Sequence, residues 1–179
     1  MRSQKVHFRL LLIVMSTPVA FLLLTTCLLF ARPVWASGRT VDYVLVKKSE
    51  GKMFLLSDQE VVREYKIALG ANPKGHKQQE GDKKTPEGKY TLDFKKADSA
   101  FFRAIRISYP NAADRARARA AKVSPGGQIM IHGQKNGYGR FAKITQLYNW
   151  TDGCIAVTNP EMQEIWRMVK VGTPIEIMP

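Results

Sequence analysis

Between Thr40 and Gly70 this chain runs through three short apolar segments parted only by tight turns. Thr40–Lys47 is β-branched and partly alternating, Met53–Leu56 is a second such run, and Val61–Leu69 is a third that stops at Gly70. Ser49-Glu50-Gly51 and Ser57-Asp58 supply the turns. None of the three runs is long enough, or periodic enough at 3.6 residues, to bury a helical face, whereas each suits a half-buried strand. The opening of the folded part is therefore a β-meander.

The same vocabulary continues. Lys89–Phe94, Phe102–Ser108, Gln128–His132, Cys154–Val157 and Pro174–Met178 read as further strands. Ala112–Lys122 is rich in alanine and arginine, which favours a helix with little apolar face and hence a surface position. Asn159-Pro160 reads as a helix start, with Asn159 as N-cap and Pro160 in the first turn. Met162, Ile165, Trp166 and Val169 then recur at i, i+3, i+4 and i+7 on one face, and Gly172 ends the run. Two segments resist either reading: Gly70–Gly88, which is polar and carries several glycines and prolines, and Gly133–Trp150, which is rich in glycine and aromatics. Long loops of this kind inside a small domain are commonly functional. The expected class is mainly β with one or two peripheral helices.

The first 36 residues stand apart. Arg2, Lys5 and Arg9 precede a nearly uncharged run from Leu10 to Ala31, and no acidic residue occurs before Asp42. That is the layout of an export leader, with Val34-Trp35-Ala36 as a cleavage site. The run is also long enough to span a bilayer as a hydrophobic helix, so 1–36 reads as a signal peptide or a membrane anchor. Cys27 in Leu24-Thr25-Thr26-Cys27 only faintly resembles a lipoprotein box. Residues 37–179 are then one exported domain, in the periplasm or cell envelope, or held at the inner membrane if the leader is retained. Of 28 Lys/Arg and 15 Asp/Glu, four bases and no acids fall in the leader, which leaves the domain a net charge of +9. Such a surface favours polyanions. No aromatic-and-basic reading motif for nucleic acid is present, so an anionic wall polymer or membrane face is the more economical partner.

Cys154 is the single cysteine of that domain, in Thr151-Asp152-Gly153-Cys154-Ile155. Without an intramolecular partner it is inert, pairs with another molecule, or reacts. His132, 22 residues upstream, lies like Cys154 at the border between a strand and the 133–153 loop. Neighbouring strands would bring imidazole and thiol together, the imidazole taking the thiol proton for attack on an amide or ester carbonyl. Backbone N–H groups around Gly153 and Cys154 would stabilise the oxyanion. The bland readings stay open: a buried structural cysteine, a core histidine, and a turn-capping Asp152. Zinc needs three or four ligands, and beyond His132, Asp152 and Cys154 only the remote His7 and His76 remain, so no metal and no cofactor is expected.

Ile131-His132-Gly133, followed by Thr151-Asp152-Gly153-Cys154-Ile155 and Asn159, resembles the signature of the L,D-transpeptidase catalytic domain of the YkuD type. Glu80–Tyr90 is similar to a second segment of that family, and the likeness runs from about Val41 to Met178. The resemblance implies a β-sandwich-like fold, Cys154 as nucleophile, His132 as general base, Gly153 with the Cys154 amide at the oxyanion, and Thr151 holding the turn. Gly133 joins the support; Asp152, read by its own chemistry, is expected to orient His132 and stabilise its cation. It also implies peptidoglycan stem peptides as substrate, a thioester acyl-enzyme, and transfer to an amine in cell-wall biogenesis.

The chain departs from the family pattern at Asp152, where histidine is usual, and at Ala156, where arginine is usual. Arg140, Lys135 or Arg103 is expected to replace that arginine in holding a substrate carboxylate. Ile107–Arg115 resembles a branch containing a hydrolase that frees wall-linked lipoprotein, so hydrolysis is the alternative to transfer. A non-catalytic wall-binding module on the same fold is a third reading.

Overall fold

In the computed structural model, residues 40–179 are described, and the leader expected over 1–36 lies outside them. Eight strands make one mixed sheet: β1 (Tyr43–Lys47), β2 (Lys52–Ser57), β3 (Glu60–Lys66), β4 (Gly88–Ser99), β5 (Phe102–Ile107), β6 (Met130–His132), β7 (Ile155–Ala156) and β8 (Thr173–Met178). Their spatial order is β3-β2-β1-β8-β4-β5-β6-β7. The meander β1–β2–β3 is antiparallel, as the turns imply, while β8 returns from the far end of the chain to lie parallel to β1 and antiparallel to β4.

The sheet curls until its two ends meet. Just beyond β3, Ala68 and Ala156 exchange backbone hydrogen bonds of 2.8 and 2.9 Å, and Thr151 N donates to Leu69 O at 3.1 Å. Sheet twist makes such curling natural, and closure removes the exposed edge that β7 would otherwise present. The mainly β fold is as expected, and its sandwich-like layering comes from this one sheet folding back on itself.

The interior follows period-two alternation. Val44 and Val46 on β1, Met53 and Leu55 on β2, Ile131 and Ile155 on β6 and β7, and Ile175 and Ile177 on β8 are all essentially inaccessible. At about 1.5–3 kcal/mol for each such side chain, this core is the main stabilising term. The helix α3 (Asn159–Met168) lies against the sheet beside β5 and buries Met162 and Ile165 fully. Its N-cap is Thr158 rather than Asn159, because the Thr158 hydroxyl accepts from Glu161 N while Glu161 Oε2 accepts from Thr158 N in a capping box.

The helix α1 (Ala112–Ala120) lies on the surface as its composition predicts, capped by Asn111 and Asp114. The 133–150 segment holds two elements that glycine and aromatic content concealed, a 3₁₀ turn at Gly139–Phe141 and the short helix α2 (Ala142–Thr145). Residues 71–87 form no regular element, yet they are tightly tied. Asp82 accepts from the amides of Gln78, Gln79 and Lys84 and from Lys77 Nζ, and Lys48 Nζ reaches Gly75 O, Thr85 O and Glu87.

Candidate active site

The strands β6 and β7 are parallel, with Ile131 opposite Ile155 and His132 opposite Ala156. Both isoleucines face the core, so alternation turns His132 and Cys154 to the other face. Cys154 lies two positions before the residue opposite His132. At ~3.3 Å per residue and ~4.8 Å between strands, their Cα atoms are roughly 8 Å apart, within reach of two side chains leaning together. Both line a cavity of about 300 Å³, with Phe101, Met130, Trp150 and Lys96 among its walls.

His132 is 5% exposed. Its ring sits 4.6 Å from the Phe101 ring and edge-on to Trp150. Nδ1 lies 2.6 Å from the Gly133 carbonyl. A carbonyl only accepts, so Nδ1 carries the proton and Nε2 keeps its lone pair. The ring is thus held by Gly133 O, whereas Asp152 is solvent-exposed at the rim. Burial lowers the His132 pKa, opposed in part by the Gly133 hydrogen bond. Burial raises that of Cys154; the Met130 amide opposes this, Asp152 adds to it, and Lys77 opposes it. Burial thus favours the uncharged form of each group. The thiol donates to Gln128 O at 3.5 Å.

The turn before the cysteine has a structural reason for each residue. Thr151 Oγ1 donates to Cys154 O at 2.7 Å and accepts from Gly153 N at 3.1 Å. The Gly153 N–H is thereby engaged, which leaves the amide of Cys154 itself as the backbone donor beside the sulfur. Gly153 has φ +128°, and a Cβ there would stand 2.6 Å from Lys84 O and 3.1 Å from Ile129 Cδ1. Gly133 is also forced, since a Cβ would stand 2.6 Å from Asn159 Oδ1. Asn159, freed from capping, accepts from Gln134 N at 2.8 Å and so ties α3 to the start of the 133–153 loop.

The three cations expected near the substrate do not line this cavity. Arg103 stacks on Phe102 and Trp166, Arg140 on Phe141, and Lys135 on Tyr138. The cation in the cavity wall is Lys96, on the exposed end of β4, a residue that sequence reasoning passed over because its strand continues through polar residues. Trp150 was passed over too. Its Nε1 is buried without a hydrogen-bond partner. No cluster of three or more His, Cys, Asp or Glu suited to a metal occurs among the described residues.

Residues 41–177 match the L,D-transpeptidase catalytic domain, YkuD. The chain belongs to that family. YafK of Escherichia coli K12 is 32% identical over 136 residues, 73% of this chain and 50% of YafK. YqjB of Bacillus subtilis 168 is 26% identical over 155 residues, covering 81% of this chain and 78% of YqjB. The crystal structure of the helical cell shape determining protein Pgp2 from Campylobacter jejuni superposes with a TM-score of 0.56 at 28% identity, over 77% of this chain and 46% of Pgp2. The chain thus spans about half the length of YafK and of Pgp2.

Proposed function

We propose that this domain is a cysteine acyltransferase that acts on peptidoglycan stem peptides outside the cytoplasmic membrane. The observation that carries the reading is that His132 and Cys154 line one largely apolar cavity on the same face of the β6–β7 pair. Cys154 is the nucleophile. As Sγ attacks the carbonyl of a stem peptide, His132 Nε2 takes the thiol proton, and the tetrahedral oxyanion accepts from the Cys154 amide. The imidazolium then protonates the departing amine, leaving a thioester. An incoming amine, deprotonated by His132, attacks that thioester and restores the thiol.

Gly133 O holds the ring in the tautomer that exposes Nε2, and its negative end favours the transient imidazolium. Thr151 fixes the turn, and Gly153 supplies room rather than its N–H. Lys96 is the group placed to meet a substrate carboxylate, and Trp150 Nε1 is a donor with no other partner. Residues 1–36 act as export signal or anchor.

The test is incubation of the protein with purified muropeptides and mass analysis of products. Cross-linked dimers and loss of a terminal residue from the donor stem support transfer. Shortened stems without dimers identify water as the acceptor and make the enzyme a hydrolase, and liberated wall-linked lipoprotein would name that substrate instead. Turnover by Cys154→Ala at the wild-type rate would refute the nucleophile.

A further inference from the structure

The 71–87 loop packs on two segments that hold Cys154. The first is the turn before it. Lys84 O lies 2.6 Å from where a Cβ of Gly153 would stand, and Lys83 O lies 2.1 Å from the same position on Gly70, which is itself 3.1 Å from Gly153 Cα. Gly70 N donates to Thr85 Oγ1 at 3.0 Å, and Asn72 N donates to Lys83 O at 3.1 Å. The second segment leads into β6. Glu80 N donates to Ser124 O at 2.8 Å, Ser124 Oγ donates to Glu80 Oε2 at 2.9 Å, and a Cβ on Gly126 would stand 3.3 Å from Glu80 Cα. Gln128 follows closely, and its carbonyl accepts from the thiol.

One buried ion pair organises this loop. The Lys77 side chain is 3% exposed and that of Asp82 11%. Lys77 Nζ donates to Asp82 Oδ1 at 2.8 Å and to Gln79 O at 3.1 Å. Asp82 also accepts from the amides of Gln78, Gln79 and Lys84. The last of these follows Lys83, whose φ of +56° is one that a lysine keeps only where its surroundings impose it. Lys83 and Lys84 supply the carbonyls that meet Gly70 and Gly153, so ion pair, strained backbone and cysteine turn form one chain of contacts. Shape alone does not require a buried ammonium, because well-packed apolar residues of similar volume hold a loop as well or better.

We propose that Lys77 and Asp82 are positioning residues for Cys154: their ion pair locks the 71–87 loop against both segments that hold the sulfur and keeps a buried positive charge within the loop. The inference rests on the reading of Cys154 as nucleophile and adds to it. The Lys77 charge lowers the Cys154 pKa, against the burial that raises it. The other titratable or charged groups about the sulfur are His132 on β6, Asp152 in the turn and Lys96 in the cavity wall. Asp152 raises the thiol pKa, and Lys96 is exposed. Tyr109, just past β5, feels the Asp82 charge, which raises its pKa. A buried cation is screened less by water and salt than an exposed one, so Lys77 acts on the thiolate more strongly than its formal charge would in solvent.

The test uses the full chain and two variants, Lys77→Met and Lys77→Met/Asp82→Asn. The double variant removes both charges together, so it folds even where the single one leaves Asp82 short of a partner. Iodoacetamide alkylation of Cys154 is followed against pH by intact mass, and carbapenem acylation is timed in parallel. In both variants the alkylation profile is expected to move to higher pH, with the rate at mildly alkaline pH falling about threefold or more. Carbapenem acylation is expected to slow about tenfold or more. Val46→Ala, in the core of β1, is the control for lost stability, compared at equal distance below the urea midpoint; its alkylation profile is expected to match wild type. Alkylation profiles unmoved in both loop variants overturn the inference. So does an equal shift in Val46→Ala, which would make the effect one of general loosening. Wild-type protein that carbapenem never acylates, with the alkylation shifts as expected, would sink the acyl-transfer reading and leave the positioning role standing.

Discussion

Replacing Gly153 by alanine should separate folding from chemistry at the turn before Cys154. Gly153 is held at φ +128°, a region in which an L-residue is strained at a cost of about 1–3 kcal/mol. The new methyl would also stand 2.6 Å from Lys84 O and 3.1 Å from Ile129 Cδ1. The first of these is backbone and cannot swing aside, because Lys84 N is itself tied to Asp82 at 3.0 Å. Overpacking of this kind costs a further ~1–3 kcal/mol. Gly153→Ala should therefore destabilise by about 2–6 kcal/mol, read from urea unfolding as a lower midpoint at unchanged slope. If the 71–87 loop yields instead, stability is partly recovered, but the sulfur is displaced and carbapenem acylation slows. The two readouts must trade against each other. A variant with wild-type midpoint and wild-type acylation rate would refute the claim that the loop and the cysteine turn are packed as one unit.

Further outcomes follow from the same geometry. His132→Ala should slow turnover by about 10²–10⁴-fold and erase the acid limb of the pH–rate profile, which in the wild type lies below pH 6.5 because burial lowers the His132 pKa; a profile superimposable on wild type would remove His132 as base. The same shift makes the fold weaker in acid, since below pH 6.5 the unfolded chain takes a proton that the folded ring resists. Alkylation of Cys154 by iodoacetamide should rise only above pH 9, the ordinary value of the group, because burial raises its pKa; a midpoint below neutrality would mean a resting thiolate–imidazolium pair. Lys96→Glu should raise KM for carboxylate-bearing stems more than it lowers kcat, while Lys96→Arg retains activity; equal kinetics in both would take Lys96 out of the substrate contact. Asp82 is held at a pKa of about 2, where burial would raise it but Lys77 and three backbone amides prevail. It contributes ~2 kcal/mol above pH 4, lost as pH falls toward 2. Asp82→Asn should cost on the order of 3–5 kcal/mol by leaving Lys77 buried without a counter-charge, and an unchanged unfolding midpoint would contradict this.

The strands that end near His132 and begin near Cys154 were legible as such because short apolar runs beside a long loop are a strong signal, and the structure pairs them as β6 and β7. Two apolar runs, each bordered by the same long loop, have few ways to present their border residues except side by side. The amphipathic face of α3 was legible from its helical periodicity. The cap was misplaced by one residue because Thr158 and Asn159 are both good caps, although Glu161, three residues after Thr158, marks the capping box and decides between them. The 3₁₀ turn and α2 were hidden by Gly137 and Gly139, which break any helical window, and by apolar residues that face solvent instead of core. Lys96 was missed because β4 runs past the core as a polar, bulged strand, where no periodicity distinguishes a cavity wall from a solvated edge. The cations chosen from sequence proximity, Lys135 and Arg140, were near the site along the chain and not in its wall. Proximity in sequence reports little about which face of a loop a side chain takes.

Burial sets the chemistry of this pair more than charge does. A cysteine beside a solvated, protonated imidazole rests as a thiolate and reacts with any passing electrophile. Here the same desolvation pushes the two groups apart in the direction of neutrality, lowering one pKa and raising the other. The ion pair is then expensive until something in the cavity accepts the charge that forms on attack. A carbonyl whose oxygen meets the Cys154 amide does this, because the negative charge passes from sulfur to an atom with a donor waiting. Adventitious electrophiles without that oxygen gain nothing from the arrangement. In the proposed reaction, a nucleophile that is expressed only on substrate would be protected from the disulfides and sulfenic acids to which an exposed thiolate is prone. The 71–87 loop takes part in this burial, since Lys84 O packs on Gly153 beside the cysteine, while the positive charge of Lys77 works the other way and lowers the thiol pKa.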